Sequence, residues 1–203
     1  MEQIGDAAGL RAQYGPVSPL AARKVLAALD RHCRAFIALS PFLVLASSDG
    51  NGGTDASPRG DAPGFVRVLD DTTLLLPDRP GNRRLDSFAN VLAQPAVGLL
   101  FLVPGINETL RVNGDARVVT DPDLLGGVAA QGRVPIGGLL IGVREAFFHC
   151  GKALIRSQLW DASRQVEREA FPTLGRILAD QTRGVDAAAA DVAIEAAYRT
   201  GLY

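Results

Sequence analysis

Three arginines stand where an anion could be gathered: Arg59 at the end of a short extended segment, and the pair Arg83-Arg84 after a Pro80-Gly81 turn. The run Thr73–Leu76 predicts a buried strand, since β-branched and aliphatic residues fit a pleated, covered surface. Pro77 cannot donate to a ladder and stops it, and Pro80-Gly81 reverses the chain. Asn82 then reads as the N-cap of a helix, with Arg83 and Arg84 in its first turn and Leu85, Phe88, Val91 and Leu92 on its apolar face. Two cations at that end oppose the helix dipole unless an anion lies between them. Free backbone N–H groups and guanidinium forks together suit a dianion such as a phosphate. The competing reading is plain surface solvation, since exposed ion pairs are worth only ~0–1 kcal/mol. The strand–turn–helix corner favours the anion.

Around this corner lie Ser57-Pro58-Arg59-Gly60-Asp61, Gly64-Phe65-Val66-Arg67-Val68, Leu76–Asn90, Val97–Gly105 and Glu108–Gly114. In their order and spacing these motifs resemble the FMN-binding split-barrel family related to pyridoxamine 5′-phosphate oxidase, in particular its predicted flavin-nucleotide-binding branch. They span roughly the middle half to two-thirds of the chain, enough for a family-level expectation. The resemblance implies a mainly β, antiparallel split barrel with flanking helices. It also implies FMN as cofactor and a homodimer with flavin sites at its interface. On it, Arg59, Arg83 and Arg84 would hold the FMN phosphate. The backbone of Leu76, Pro77 and Asp78 would border the flavin ring and ribityl chain. Asn82 would cap a helix, donate to phosphate, or both. Thr109, with Glu108, would lie near the isoalloxazine or form a polar pair on the barrel rim.

The chain has 203 residues with 47% hydrophobic content, which sets one well-buried domain over 1–203 as the expectation. Lys and Arg number 21 against 22 Asp and Glu, so no bulk charge calls for nucleic acid or an anionic membrane. The uncharged stretch Ser87–Asn107 is cut by Gln94-Pro95 and Pro104-Gly105, leaving far fewer than the ~20 residues a spanning helix needs. Two cysteines, Cys33 and Cys150, make no disulfide framework, and no secretory signal is recognisable at Met1. A cytoplasmic setting is expected.

The elements that must position the corner can be read in order. The first seventeen residues have little periodicity and are expected to lie loosely on the surface. Ser18-Pro19 starts a helix, with Leu20, Val25, Leu26 and Leu29 marking an apolar face through about Ala28. A second helix runs Arg31–Leu39, so the N-terminal helices occupy about 18–39. His32 and Cys33 inside it lack partners at ligand spacing and read as packing residues, with no metal expected. Strands are expected at Phe42–Ser47, Thr54–Arg59, Gly64–Leu69, Thr72–Leu76, Val97–Val103, Leu110–Val119 and Val143–His149. Neither alternating βα units nor a Gly-x-Gly-x-x-Gly appears, which excludes a dinucleotide fold. The tail, about 151–203, is helical in pattern and is expected to pack on the barrel or on a partner.

Within that tail Lys152 and Arg156 stand four apart in a predicted helix Gly151–Leu159, with Trp160 following on the same side. Trp160 reads either as a cover for the flavin or substrate, or as an interface anchor. The cluster is expected to reach a site on the neighbouring subunit. His149 and Ser157 form no nucleophile–base pair with an orienting acid, so hydrolase chemistry has no support. The family's Arg-x-His substrate motif is also missing, since Arg156-Ser157-Gln158 lacks the histidine. That argues against vitamin B6 oxidation. The expected function is an FMN-dependent oxidoreductase. The alternatives are a non-catalytic flavin carrier or sensor, or a relative that takes a deazaflavin or haem.

Overall fold

A computed structural model describes residues 3–203. Seven strands, β1 (Phe42–Ser48), β2 (Thr54–Gly60), β3 (Arg67–Asp70), β4 (Thr73–Pro77), β5 (Ala96–Leu102), β6 (Thr109–Val119) and β7 (Gly138–His149), form one sheet in the order β2-β1-β5-β6-β7-β4-β3. Every pairing is antiparallel. The flanking helices are α1 (Ala7–Tyr14), α2 (Pro19–Arg23), α3 (Arg31–Leu39), α4 (Asp86–Ala93), α5 (Pro122–Gly126), α6 (Lys152–Ser157), α7 (Leu174–Gln181) and α8 (Ala187–Thr200). This is the mainly β, antiparallel split-barrel architecture expected above.

Alternation sets the core. Leu43 and Leu45 of β1, Leu99 and Phe101 of β5, Leu110 and Val112 of β6, and Ile141 of β7 are buried on one face. Cys33, Phe36 and Ile37 of α3 close over that face, with Phe36 meeting Phe148 edge to face at 5.4 Å. Between β6 and β7, a Cβ at Gly114 would collide with the Gly142 carbonyl, beside the register shift at Asn113/Gly114. Only glycine fits that crossing.

The sheet register also shows how the barrel closes. Arg59 lies in one row with Leu43, Phe101 and Leu110, whereas Pro77 lies in a row with Gly138 and Val119. On a flat sheet the ends of β2 and β4 would be about 24 Å apart across five strand spacings and about 30 Å apart along β6. Yet the Arg59 side chain touches Asp78. The sheet therefore coils until its two distant corners meet, and side chains bridge a seam that the backbone ladder leaves open.

Four sequence expectations are corrected. α2 ends at Arg23, not near Ala28, because Leu26 pairs as an isolated bridge with Ala146 and needs extended backbone. The first residues do contain a helix, α1, capped by Asp6, although it buries nothing. The strand expected from Gly64 starts at Arg67, since Gly64 has φ +80° and Phe65 closes a turn onto Ala62. β7 begins at Gly138, not Val143, so Gly138–Gly142 supplies the strand's first half. Among the described residues no helix is long and apolar enough to cross a membrane.

Candidate functional site

The seam is built from two crossed ion pairs. At the end of β2, Arg59 sends Nη1 to Asp78 Oδ1 (3.2 Å) and Nη2 to Ser87 Oγ (3.2 Å). Ser87 in turn donates to Asp55 Oδ2 at 2.7 Å. Two residues beyond Arg59, Asp61 receives Arg79 Nε on Oδ2 (2.5 Å) and the Tyr203 hydroxyl on Oδ1 (2.5 Å). The Arg79 guanidinium also lies 6.0 Å from the Tyr203 ring centroid, and Arg133 donates to the Tyr203 main-chain oxygen. Alternation along β2 turns Asp55, Ser57 and Arg59 to the face on which α4 packs, which is why one strand contributes both acid and base.

Asp61 is the most enclosed charge here, its side chain only 4% exposed. Burial pushes its carboxyl up, but hydrogen bonds from Tyr203, the Ala62 N–H and Arg79, with the Arg79 charge, outweigh burial and hold it below the usual range. A folded pKa below the unfolded one means the stabilisation is complete above the unfolded carboxylate range and is lost as pH falls through the folded value. Asp61→Asn is therefore expected to flatten the acid limb of the stability–pH curve below about pH 4. Urea titrations from neutral to acid pH measure that slope, and an unchanged limb in the variant would remove Asp61 from the acid response.

Asn82, Arg83 and Arg84 sit beside this seam but not as expected. α4 starts at Asp86, with Leu85 at its cap position and no capping side chain. Arg83 and Leu85 are left-handed, at φ 59° and 58°, and this interrupts any helix entering from Asn82. Asn82 is thus not an N-cap; its Oδ1 accepts from the Arg84 N–H (3.1 Å) in a local turn. Arg83 and Arg84 precede the helix instead of occupying its first turn, where Asp86 answers the dipole. Arg84 pairs with Asp86 at 2.8 Å on an exposed surface. Among the described residues Arg83 makes no ion pair, and Arg59 Nε is buried without a hydrogen-bond partner.

The remaining predicted site residues divide between two places. Leu76 and Pro77 are buried at the end of β4, and the Asp78 N–H bonds to the Gly137 carbonyl (3.0 Å), so these three share the seam. Thr109, buried at the start of β6 opposite His149, is one residue out of step with core-facing Leu110 and thus faces away from Arg59 within one chain. Lys152 and Arg156 are exposed on α6. The helix stops at Ser157, because Gln158 is left-handed, so Trp160 lies beyond it and not on its face. Trp160 Nε1 instead donates to the Ile106 carbonyl at 2.9 Å, beside Thr109.

Sequence reasoning missed Asp55, Asp61, Arg79, Ser87 and Tyr203 as partners in the seam. Asp61 and Arg79 carried a legible signal: Arg59-Gly60-Asp61 and Asp78-Arg79 are complementary charge pairs on two predicted strand ends. Tyr203 carried none, being 142 positions from Asp61.

The sequence profile of the family described as pyridoxamine 5′-phosphate oxidase matches residues 29–144. No curated protein matches. Among solved structures, HupZ of Group A Streptococcus is 19% identical with a TM-score of 0.48, covering 59% of this chain and 93% of that one. A putative pyridoxamine 5′-phosphate oxidase of Lactobacillus delbrueckii is 22% identical with a TM-score of 0.46, covering 60% and 95%. A protein described as an F420 reductase is 19% identical with a TM-score of 0.39, covering 57% and 94%.

Proposed function

This chain belongs to the pyridoxamine 5′-phosphate oxidase family, and from that premise we propose that it is an FMN-binding oxidoreductase whose phosphate site is the Arg59 corner. One observation carries the reading: a guanidinium held at the seam with its Nε buried and unmet, next to an Arg83 that makes no ion pair among the described residues and a helix start with no capping side chain. Those donors suit a phosphate, which would add to Nε while Asp78 and Ser87 keep the fork oriented. Asp55, Asp78 and Asp86 surround the corner and would oppose the anion if the arginines were absent. Leu76 and Pro77 would border the rest of the cofactor. When bound, the flavin ring would supply hydride and electron transfer, while the chain supplies position and charge.

The proposal includes a homodimer. Thr109 faces away from Arg59 within one chain, so Thr109, Lys152, Arg156 and Trp160 would serve the flavin held by the partner. Exposed Val166, Phe171 and Val192 in the tail supply apolar surface for that contact. Sedimentation equilibrium is expected to give twice the chain mass, and a monomer at micromolar concentration would overturn the shared site.

The phosphate claim has a direct test. Arg83→Ala combined with Arg84→Ala is expected to weaken FMN binding at least tenfold, about 1.4 kcal/mol, by fluorescence quenching titration. Unchanged affinity would remove that pair from the clamp. Bleaching of the bound flavin by NAD(P)H with turnover on an electron acceptor would identify an enzyme. Bound flavin that no donor reduces would identify a carrier.

A further inference from the structure

A second cluster of charge stands away from the seam. Arg111 of β6 and Phe147 of β7 are directly opposed, one step out of phase with core-facing Leu110 and Phe148. The Arg111 guanidinium lies 4.4 Å from the Phe147 ring centroid and Lys24 Nζ lies 5.5 Å from it. The His149 ring is 5.0 Å away. Lys24 also donates to the Phe148 carbonyl at 2.5 Å, which fixes its head in place. Among the described residues neither cation makes an ion pair, and Arg111 Nε is buried with no hydrogen-bond partner. Burial lowers the His149 pKa, and the Arg111 and Lys24 charges lower it further, so all three groups share one positive field.

Beside them opens a cavity of about 550 Å³ lined largely by Leu26, Phe36, Ile106, Phe147 and Phe148, with Lys24 at its edge. That volume falls in the range of small-molecule sites, roughly 300–1,000 Å³. Two acids also line it. Asp30 is committed to capping α3, accepting from the His32 and Cys33 N–H groups at 3.0 and 2.8 Å. Glu108 is exposed and makes no ion pair among the described residues.

We propose that this cleft binds an amphipathic organic monoanion, its carboxylate or sulfonate head at Lys24 beside Phe147, where Arg111 on the Phe147 ring adds positive charge from behind the lining, and its apolar body against Phe36, Phe148 and Ile106. Cation–π contact holds the two cations in place without neutralising them, so both charges favour an anion in the cleft. The aromatic lining takes the body. Glu108 disfavours a second negative charge, which sets this ligand apart from a phosphate dianion. The site uses none of the seam residues, although through Ile106 and Glu108 it adjoins Thr109 and Trp160, the residues proposed to reach the partner's flavin.

The test is a fluorescence titration of the full chain with anilinonaphthalene sulfonate. One saturable site per chain is expected, emptied by decanoate and not by decylamine, which has the same body and the opposite charge. Lys24→Gln and Arg111→Gln are each expected to weaken binding at least fivefold, Glu108→Gln to strengthen it, and Arg59→Gln to leave it unchanged. Lys24 is exposed, so its variant tests the site without disturbing the core. Equal displacement by decylamine, or unchanged affinity in the Lys24 variant, would overturn the assignment. Loss of binding in Arg59→Gln would place the probe in the flavin corner and overturn it equally.

Discussion

Arg79→Ala is expected to destabilise the protein by about 3 kcal/mol, since removing one member of an enclosed ion pair leaves a buried charge uncompensated. The Asp61 side chain is 4% exposed, and after the change only Tyr203 and the Ala62 N–H would still answer it. The figure sits at the low end for buried pairs because Arg79 itself keeps 17% exposure and water can enter when it is truncated. Urea unfolding at neutral pH measures the loss. Asp61→Asn combined with Arg79→Ala should recover part of it, because no orphaned charge then remains. A double variant less stable than the single would refute this account of the seam.

Arg59→Ala is expected to weaken FMN binding about a hundredfold, near 2.7 kcal/mol, with a stability loss of about 1 kcal/mol. The asymmetry comes from exposure. Arg59 and Asp78 keep 21% and 27% of their side-chain surface in water, so breaking their 3.2 Å pair costs less than breaking the Asp61–Arg79 pair. A charge-assisted bond to a phosphate, in contrast, has no replacement once the guanidinium is gone. Arg59→Lys should keep part of the affinity through charge alone and lose the fork geometry. Paired measurement of FMN affinity and melting temperature separates the two roles. A variant that melts early yet binds FMN normally would assign Arg59 to the seam and away from the cofactor.

Much of the architecture was legible beforehand because it is local. The expected strand Phe42–Ser47 and the expected helix Arg31–Leu39, stopped before Ser40-Pro41, match β1 and α3 to within one residue. The corner at Pro77–Leu85 was found from residue types alone. The start of α4 was misplaced, because two left-handed residues that are not glycine contradict propensity, and propensity was the only guide. Likewise Gln158 ended α6 before Trp160 with no sequence mark of a stop.

By itself the sequence determined which segments form strands and that a strand–turn corner rich in arginine follows β4, because periodicity and turn chemistry act over a few residues. Tertiary structure alone decided that Arg59 meets Asp78, that Asp61 collects Arg79 and Tyr203, and that Thr109 turns away from all of them. The reason is coiling: small twists accumulated over five strand spacings bring two distant corners into contact. No local pattern encodes a sum taken around a barrel.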